Sequence, residues 1–521
     1  KMKMKQILEN SFYQLLMIYV LLVFFISINF YSKYSLHFEI FAAILAILGF
    51  FILEKGILSK NKILEDNVIH YFILIIAFLI TLTYRIIPYI ENTVPLGYDV
   101  GIYKYAIESG LQNLDLWILS SVEPGFLYLM TPLSLLFTTN AILIEIFIIF
   151  NLLLAFSIYL VSKEYFNKTT AIFSILLYSL SIIQFKTFEL MYYKNIIGLA
   201  FMLFAIYFHK KDKLTWFVIF AALVGMIHRP TFYIFGLSYF AYTFMCLLKN
   251  KKLFIINFLL GIAILLLAII PYLGKFGVSL TTVLPWVIEG FVNTGQSPGT
   301  FINIFTYQLL TLAYLPFALI GLFYLAKNKK FDILFMWAII NASIVYFQFF
   351  FFNRFIIHLD VILVILASVG FSIILQKRKM GGLLIAILLT SLLITSFLYV
   401  EKSEPLVAET ELNIIKSLAY VETNAYVMST SGYYSTWLQG YSNRKVIAPG
   451  LFDYNKHTKP EWENFWITAD IEETKRFLDV YEKPLYIFIG KYQNIEMDKF
   501  EDSCFNLYNG NLQTKIYKYT C

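Results

Sequence analysis

The stretch that decides the fold is residues 253–273, LFIINFLLGIAILLLAIIPYL, which contains no charged side chain. A helix rises 1.5 Å per residue, so about 20 apolar residues cross the hydrocarbon layer of a bilayer. The rest of the chain has a similar character, since 59% of its residues are hydrophobic and 14% are charged. A soluble domain carries roughly 25% charged residues. The sequence therefore predicts an α-helical polytopic membrane protein.

Similar apolar runs recur along the first 400 residues and predict about thirteen transmembrane helices. The shorter apolar stretch 124–137 contains Pro124 and Pro132. We interpret this stretch as a re-entrant or interfacial helix, because counting it as a span disrupts the alternation of charge across the membrane. The predicted spans are residues 12–32, 36–53, 68–88, 141–162, 169–184, 190–208, 214–229, 231–248, 253–273, 301–326, 331–352, 355–375 and 381–400.

Basic residues are distributed unevenly between the two ends of these spans. With the N-terminus in the cytoplasm, seven cytoplasmic segments hold 20 Lys and Arg residues, and the opposite loops hold six. Basic segments are retained on the cytoplasmic side during insertion. The asymmetry predicts a multi-pass plasma-membrane protein with a cytoplasmic N-terminus. The net charge of +7 lies in short runs between apolar segments, which argues against nucleic-acid binding.

The last part of the chain, residues 401–521, lacks long apolar runs and carries 17 acidic and 13 basic residues. We therefore predict a membrane domain over residues 1–400 and a small extracytoplasmic α/β domain over residues 401–521. Nothing in the sequence fixes the geometry of Cys504 and Cys521, so it does not decide whether they pair. The predicted elements are strands at 425–429, 445–448 and 485–489, a helix at 470–480, and a hairpin with Asn509-Gly510 as its turn.

Polar residues concentrate at the predicted outer ends of the spans, where charged groups mark functional sites. The outer loop 89–140 carries Asp99 just before a predicted short helix. The Asp99 side chain can cap this helix, accept a proton from an acceptor hydroxyl, or ligate a divalent cation such as Mg²⁺ or Mn²⁺. Glu123 opens the re-entrant stretch and is a second candidate catalytic carboxylate, facing the lipid headgroups.

Five basic or imidazole side chains interrupt apolar segments at the same predicted depth. Isolated cations on this side run against the charge bias, and several at one depth suit a phosphate-binding site. The alternative is interfacial anchoring, since long basic side chains reach out to the headgroups. The candidate phosphate ligands are Lys194, His228, Arg229, Arg354 and His358.

Three stretches together resemble the GT-C superfamily of membrane glycosyltransferases. The first is Gly97-Tyr98-Asp99, followed by Tyr103, in the acidic loop. The second, Glu123-Pro124-Gly125-Phe126 with the span and basic turn after it, is similar to protein mannosyltransferases and aminoarabinose transferases. The third, residues 427–448, resembles the outer domain of oligosaccharyltransferase catalytic subunits.

This resemblance implies an inverting glycosyltransferase that moves a sugar from a polyprenyl phosphate or diphosphate to a lipid, glycan or protein acceptor. It implies that Asp99 is the base or a metal ligand, that the cations bind the lipid phosphate, and that Tyr98 and Tyr103 belong to the substrate loop. A lipid or polysaccharide transporter and a non-catalytic membrane scaffold are the alternatives. The sequence contains no Walker-type loop, no dinucleotide-binding glycine pattern and no zinc-ligand spacing.

Overall fold

A computed structural model describes residues 2–52, 62–111, 114, 116–277, 301–375, 378–450, 454–492 and 494–521. Within these residues the chain is mostly helical and ends in a five-stranded sheet. The first twelve helices are α1 Met2–Ile28, α2 Ser35–Ile52, α3 Lys62–Glu65, α4 Asn67–Ile86, α5 Val100–Ser109, α6 Leu116–Ser121, α7 Pro124–Ser134, α8 Thr139–Ala141, α9 Phe147–Tyr165, α10 Lys168–Leu180, α11 Ile182–Glu189 and α12 Tyr193–Lys210. The other twelve are α13 Leu214–Ile227, α14 Arg229–Lys249, α15 Lys251–Ile269, α16 Ile304–Thr311, α17 Leu315–Lys327, α18 Ile333–Tyr346, α19 Ile356–Ile374, α20 Arg378–Val400, α21 Glu409–Ser417, α22 Gly432–Ser442, α23 Lys459–Ile467 and α24 Ile471–Leu478.

Seven helices in the described part of the chain are long and apolar enough to cross a membrane, and two bent helix pairs raise this number to nine. Three shorter apolar helices accompany them, at Ser35–Gly49, Leu214–Ile227 and Ile333–Tyr346. The predicted helical membrane protein is thus confirmed, whereas the count of thirteen spans stays a prediction. α7 has 11 residues and rises only about 16 Å, which agrees with a re-entrant or interfacial helix.

One buried carboxylate joins the two broken spans. α10 and α11 meet at a bend of 51°, and α16 and α17 meet at a bend of 82°. Asp360 on α19 accepts hydrogen bonds from Ser181 at 2.9 Å and Gln184 at 2.7 Å, which lie at the first break. It also accepts one from Tyr314, which lies at the second break. Asp360 therefore links side chains at both breaks.

The C-terminal sheet has the strand order β2-β1-β3-β5-β4. β1 lies between β2 and β3 and is parallel to both, whereas β5 is antiparallel to β3 and β4. The three strands and the helix predicted from the sequence are confirmed to within about two residues at each end. The strands are β1 Tyr426–Ser429, β2 Lys445–Ile447, β3 Leu485–Ile489, β4 Phe505–Gly510 and β5 Lys515–Tyr519.

The hairpin is present, but the prediction of Asn509-Gly510 as its turn was wrong. Both residues belong to β4, where the pairing register shifts between Leu507 and Asn509. This irregularity moves the turn to residues 511–514, which Asn511 closes by accepting a hydrogen bond from the Thr514 amide at 2.8 Å. A disulfide between Cys504 and Cys521 ties the two outer ends of the hairpin together, with 5.1 Å between the Cα atoms.

The two faces of the sheet pack against different partners. One face, which includes Val427 and Phe488, belongs to a hydrophobic core that continues into the membrane domain. The other face includes Met428 and Ile487 and packs in a second core with aromatic residues of α23 and α24. Because the first core crosses between the domains, the sheet and α22 have a defined position relative to the acidic loop.

Candidate active site

Four helices begin at one end of the membrane domain: α5, α7, α12 and α14. The site residues predicted from the sequence lie in the first turns of these helices or directly before them: Asp99, Glu123, Lys194 and Arg229. α7 approaches the end of α13 closely, since a Cβ on Gly125 would lie 2.6 Å from the Met226 carbonyl oxygen. This approach brings the start of α7 next to the start of α14. Helix N-termini favour anions, since their first amides have no partner within the helix.

Glu123 is buried between two cations. Its Oε2 atom lies 2.6 Å from Lys194 Nζ, and its Oε1 atom lies 3.3 Å from Arg229 Nε. The Arg229 amide also donates to Oε1, and Lys194 donates to the Ser121 carbonyl oxygen at 3.0 Å. Burial opposes ionisation, yet Lys194 and Arg229 outweigh it and hold the pKa of Glu123 well below its usual range. Glu123 is therefore an anion that holds two cations side by side.

Asp99 occupies the N-cap position of α5, but its side chain makes no capping hydrogen bond. Its carboxylate has no hydrogen-bond partner among the described residues. Burial raises the pKa of Asp99 to about 6, although Lys194 and Arg354 act in the opposite direction. Asp99 thus lies half-buried within electrostatic range of two cations. We call it an open carboxylate, because its oxygens accept no hydrogen bond from the described residues.

Arg354 lies in a short 3₁₀ helix, Phe352–Phe355, which leads into α19. Its guanidinium group lies over the Phe301 ring at 5.2 Å and the Phe351 ring at 5.8 Å. Asp99 and Glu123 both attract it, and Arg229 repels it. The structure therefore brings together five of the predicted residues, Asp99, Glu123, Lys194, Arg229 and Arg354. We call these five residues the charged group.

The two predicted histidines lie in a buried hydrogen-bond chain beside the charged group. The Thr231 hydroxyl lies 2.7 Å from His228 Nδ1 and 2.8 Å from His358 Nε2. The Thr231 amide also donates to His228 Nδ1, so this nitrogen is the acceptor and His358 Nε2 carries a proton. His358 is fully buried. Both histidines thus connect the start of α14 to α19.

The two tyrosines of the predicted substrate loop have different surroundings. The Tyr98 hydroxyl lies 3.1 Å from Ser435 Oγ in the C-terminal domain. Tyr103 is buried against Phe126 at 5.1 Å and Tyr193 at 6.0 Å. Tyr98 therefore reaches the C-terminal domain, whereas Tyr103 packs within the membrane domain.

The described residues around Asp99 do not by themselves complete a site for a divalent cation, so the Mg²⁺ or Mn²⁺ site predicted at Asp99 stays a prediction. Mg²⁺ and similar ions are bound by several oxygen ligands, and both Glu123 oxygens are already occupied by Lys194 and Arg229. Among the described residues, the one group of three metal-ligating side chains contains Cys504 and Cys521, which form the disulfide. The described part of the site thus offers one open carboxylate beside two cations.

Sequence reasoning missed Thr231 and the pairing of Glu123 with Lys194 and Arg229. The pattern His228-Arg229-Pro230-Thr231 could have indicated Thr231, because the side chain three positions after a helix N-cap often forms a hydrogen bond with the N-cap residue. The pairing had no signal, since its members lie 71 and 106 positions apart in the chain.

A family model described as dolichyl-phosphate-mannose-protein mannosyltransferase matches residues 121–274. These residues include Glu123, Lys194 and Arg229 but not Asp99 or Arg354. A search of curated proteins finds no match.

Solved structures resemble nearly the whole chain. The oligosaccharyltransferase of Archaeoglobus fulgidus tethered to an acceptor peptide shares 14% identity, with a TM-score of 0.60 over 88% of this chain and 75% of that one. The same archaeal enzyme, AglB, in complex with an inhibitory peptide and dolichol-phosphate has a TM-score of 0.58 at 14% identity, over 80% of this chain and 69% of that one.

ArnT from Cupriavidus metallidurans bound to undecaprenyl phosphate has a TM-score of 0.59 at 10% identity, over 87% of this chain and 98% of that one. At such identities the likeness shows the fold. The resemblance inferred from the sequence is confirmed: the chain has the fold of these membrane glycosyltransferases, and its residues 121–274 match the mannosyltransferase family model.

Proposed function

We propose that this protein is a glycosyltransferase that moves a sugar from a polyprenyl-phosphate donor to an acceptor at the extracytoplasmic membrane surface. The observation that carries the proposal is the charged group, in which an open carboxylate lies next to several cations where four helices begin. The bound dolichol-phosphate and undecaprenyl phosphate of the related folds support a lipid phosphate as the leaving group.

The cations hold the donor phosphate. Lys194, Arg229 and Arg354 supply positive charge, and the first amides of the surrounding helices add to it. Glu123 keeps Lys194 and Arg229 together but neutralises only part of their combined charge. An anion entering the site therefore meets a net positive potential, which stabilises a phosphate leaving group as its charge develops.

Asp99 acts on the acceptor. Its carboxylate takes the proton of an acceptor hydroxyl while the acceptor oxygen attacks the anomeric carbon of the sugar. The bond between that carbon and the phosphate oxygen breaks, and its electron pair leaves with the polyprenyl phosphate. Attack from the face opposite the leaving group inverts the anomeric configuration. A pKa of about 6 suits this role, because Asp99 is ionised at neutral pH but is a stronger base than an exposed carboxylate.

Glu123 and the histidines act indirectly in this proposal. Glu123 is a positioning residue rather than a base, since both of its oxygens already accept hydrogen bonds from cations. His228 and His358, joined through Thr231, fix the start of α14 and so the position of Arg229.

The proposed orientation puts the charged group and the C-terminal domain outside the cytoplasm. The excess of basic residues at the opposite ends of the spans supports this orientation. The disulfide between Cys504 and Cys521 also supports it, because disulfides persist in oxidising compartments and are rare in the cytosol.

The proposal is tested by incubating the purified protein with a panel of radiolabelled polyprenyl-phosphate hexoses and pentoses and a membrane extract as acceptor. We expect at least one label to move to an acceptor and free polyprenyl phosphate to appear in equal amount. If no donor in the panel reacts, while reconstituted protein moves an intact donor between the leaflets of a vesicle, the protein is a transporter and the proposal is wrong.

A further inference from the structure

The segment that carries Asp99 is held on two sides by close backbone contacts. On one side Gly97 has a φ of +82°, and a Cβ there would lie 2.7 Å from the Leu190 carbonyl oxygen of the membrane domain. On the other side a Cβ on Gly101 would lie 1.7 Å from the Thr436 carbonyl oxygen of α22. Only glycine allows both approaches, so the segment lies between the two domains.

The contact between α5 and α22 is made from both helices. A Cβ on Gly440 would lie 2.4 Å from the Gly101 carbonyl oxygen, so each helix presents a glycine to the backbone of the other. Two hydrogen bonds reinforce the contact at the residue before Asp99. The Thr436 hydroxyl donates to the Tyr98 carbonyl oxygen at 2.6 Å. The Tyr98 hydroxyl donates to Ser435 Oγ, because Ser435 already donates to the Gly432 carbonyl oxygen.

α22 is itself firmly placed within the C-terminal domain. Trp437 is fully buried, and the Tyr434 hydroxyl donates to Glu411 of α21 at 2.9 Å. Asp99, in contrast, has no side-chain partner of its own among the described residues. The position of its carboxylate therefore depends on the backbone between Tyr98 and Gly101, which α22 holds.

We propose that α22 of the C-terminal domain positions the Asp99 carboxylate in the charged group. Tyr98, Gly101, Ser435, Thr436 and Gly440 are the positioning residues of this contact. The catalytic part of this inference rests on the proposed function, in which Asp99 is the base. Under that function, the C-terminal domain helps to orient the base. The position of the carboxylate itself can be measured without sugar transfer.

The ionisation of Asp99 reports its position. Within the described residues Lys194 and Arg354 act on Asp99 electrostatically, and Asp99 in turn acts on the neighbouring Tyr98, Tyr103 and Tyr192. Burial is the largest influence and raises the pKa of Asp99 to about 6. Loosening the helix contact admits water, which favours the charged form and lowers the pKa towards that of an exposed aspartate.

The test uses Gly440→Ala and Thr436→Val in the full-length protein. A carbodiimide, which reacts with protonated carboxyl groups, is applied over a range of pH, and modification of Asp99 is followed by mass spectrometry. We expect a midpoint near pH 6 in the unchanged protein and a fall of at least one pH unit in each variant. Ser442→Ala is the matched control, because its hydroxyl is on the same helix but bonds only within the C-terminal domain, to Leu438 and Arg444.

Transfer is then measured in the same variants. We expect kcat to fall about tenfold while KM for the donor changes less than twofold, because the phosphate ligands are untouched. An unchanged modification midpoint in folded Gly440→Ala and Thr436→Val overturns the positioning proposal. If the midpoint shifts in these variants but Asp99→Asn retains full transfer, the positioning proposal stands and the catalytic role of Asp99 is overturned.

Discussion

Asp99 and Glu123 occupy equivalent places in their local structures but differ in their surroundings. Each lies at the N-cap position of a helix, and neither side chain caps it. Glu123 is enclosed by Lys194 and Arg229, whereas Asp99 has open oxygens and a raised pKa. The difference teaches that the partners of a carboxylate, rather than its place on a helix, decide whether it organises charge or is available for proton transfer.

The largest effect is expected from Asp99→Asn, which removes the proposed base and leaves the contacts of Glu123 intact. Transfer should fall about 10²- to 10⁴-fold, the usual contribution of a general base, and the variant should insert and purify normally. The measurement is the rate of sugar transfer from the active donor of the panel. Full activity would show that the open carboxylate takes no part in the reaction.

Stability should change in opposite directions in Glu123→Gln and Asp99→Asn. Glu123→Gln leaves Lys194 and Arg229 buried without their anion and should cost about 3–5 kcal/mol. Asp99→Asn removes a half-buried charge from the folded state and should raise the melting temperature at pH 7. Thermal unfolding in detergent measures both. A stabilising Glu123→Gln would mean that the two cations need no bridging anion.

The pH dependence of transfer separates the two carboxylates. The base must be unprotonated, so kcat/KM should fall about tenfold per pH unit below pH 6 and stay level just above it. Glu123 stays ionised throughout this range, because the pKa of Glu123 is held below its usual value. Rates measured between pH 4.5 and 8 test this, and a midpoint near pH 4 would indicate an exposed base.

A smaller effect is expected from Thr231→Val, which removes the hydroxyl between His228 and His358. Loss of this link should cost about 1–3 kcal/mol of stability, the range for leaving a buried polar group without its partner. Donor affinity should change less than tenfold, because Glu123 still holds Arg229. Thermal unfolding and competition by undecaprenyl phosphate measure the two quantities. A complete loss of donor binding would place the histidines in direct contact with the phosphate.

The smallest effect is expected from chelation. The described residues around Asp99 do not by themselves complete a site for a divalent cation, so treatment with EDTA should change the transfer rate less than twofold. Addition of Mg²⁺ or Mn²⁺ after dialysis is the control. A loss restored by metal would indicate that carboxylates beyond the described residues complete a site with Asp99.

The helical membrane fold and the identity of the charged residues could be predicted from the sequence, because long apolar runs and isolated charges within them are local patterns. The strands of the C-terminal domain were predictable for the same reason. The turn of its hairpin was not, since the shift after Leu507 arises from pairing between strands. The separate roles of Asp99 and Glu123 could not be predicted either, because each role depends on partners distant in the chain.

The sequence by itself determined that the chain is a helical membrane protein with a C-terminal α/β region, and that acids and cations gather at one end of its helices. Hydrophobic length and charge are properties of neighbouring residues, so they can be read without coordinates. Only the tertiary structure decided which carboxylate is neutralised, which is left open, and that α22 meets the loop carrying Asp99. Those outcomes depend on burial and on contacts across hundreds of residues, such as the hydrogen bond between Tyr98 and Ser435.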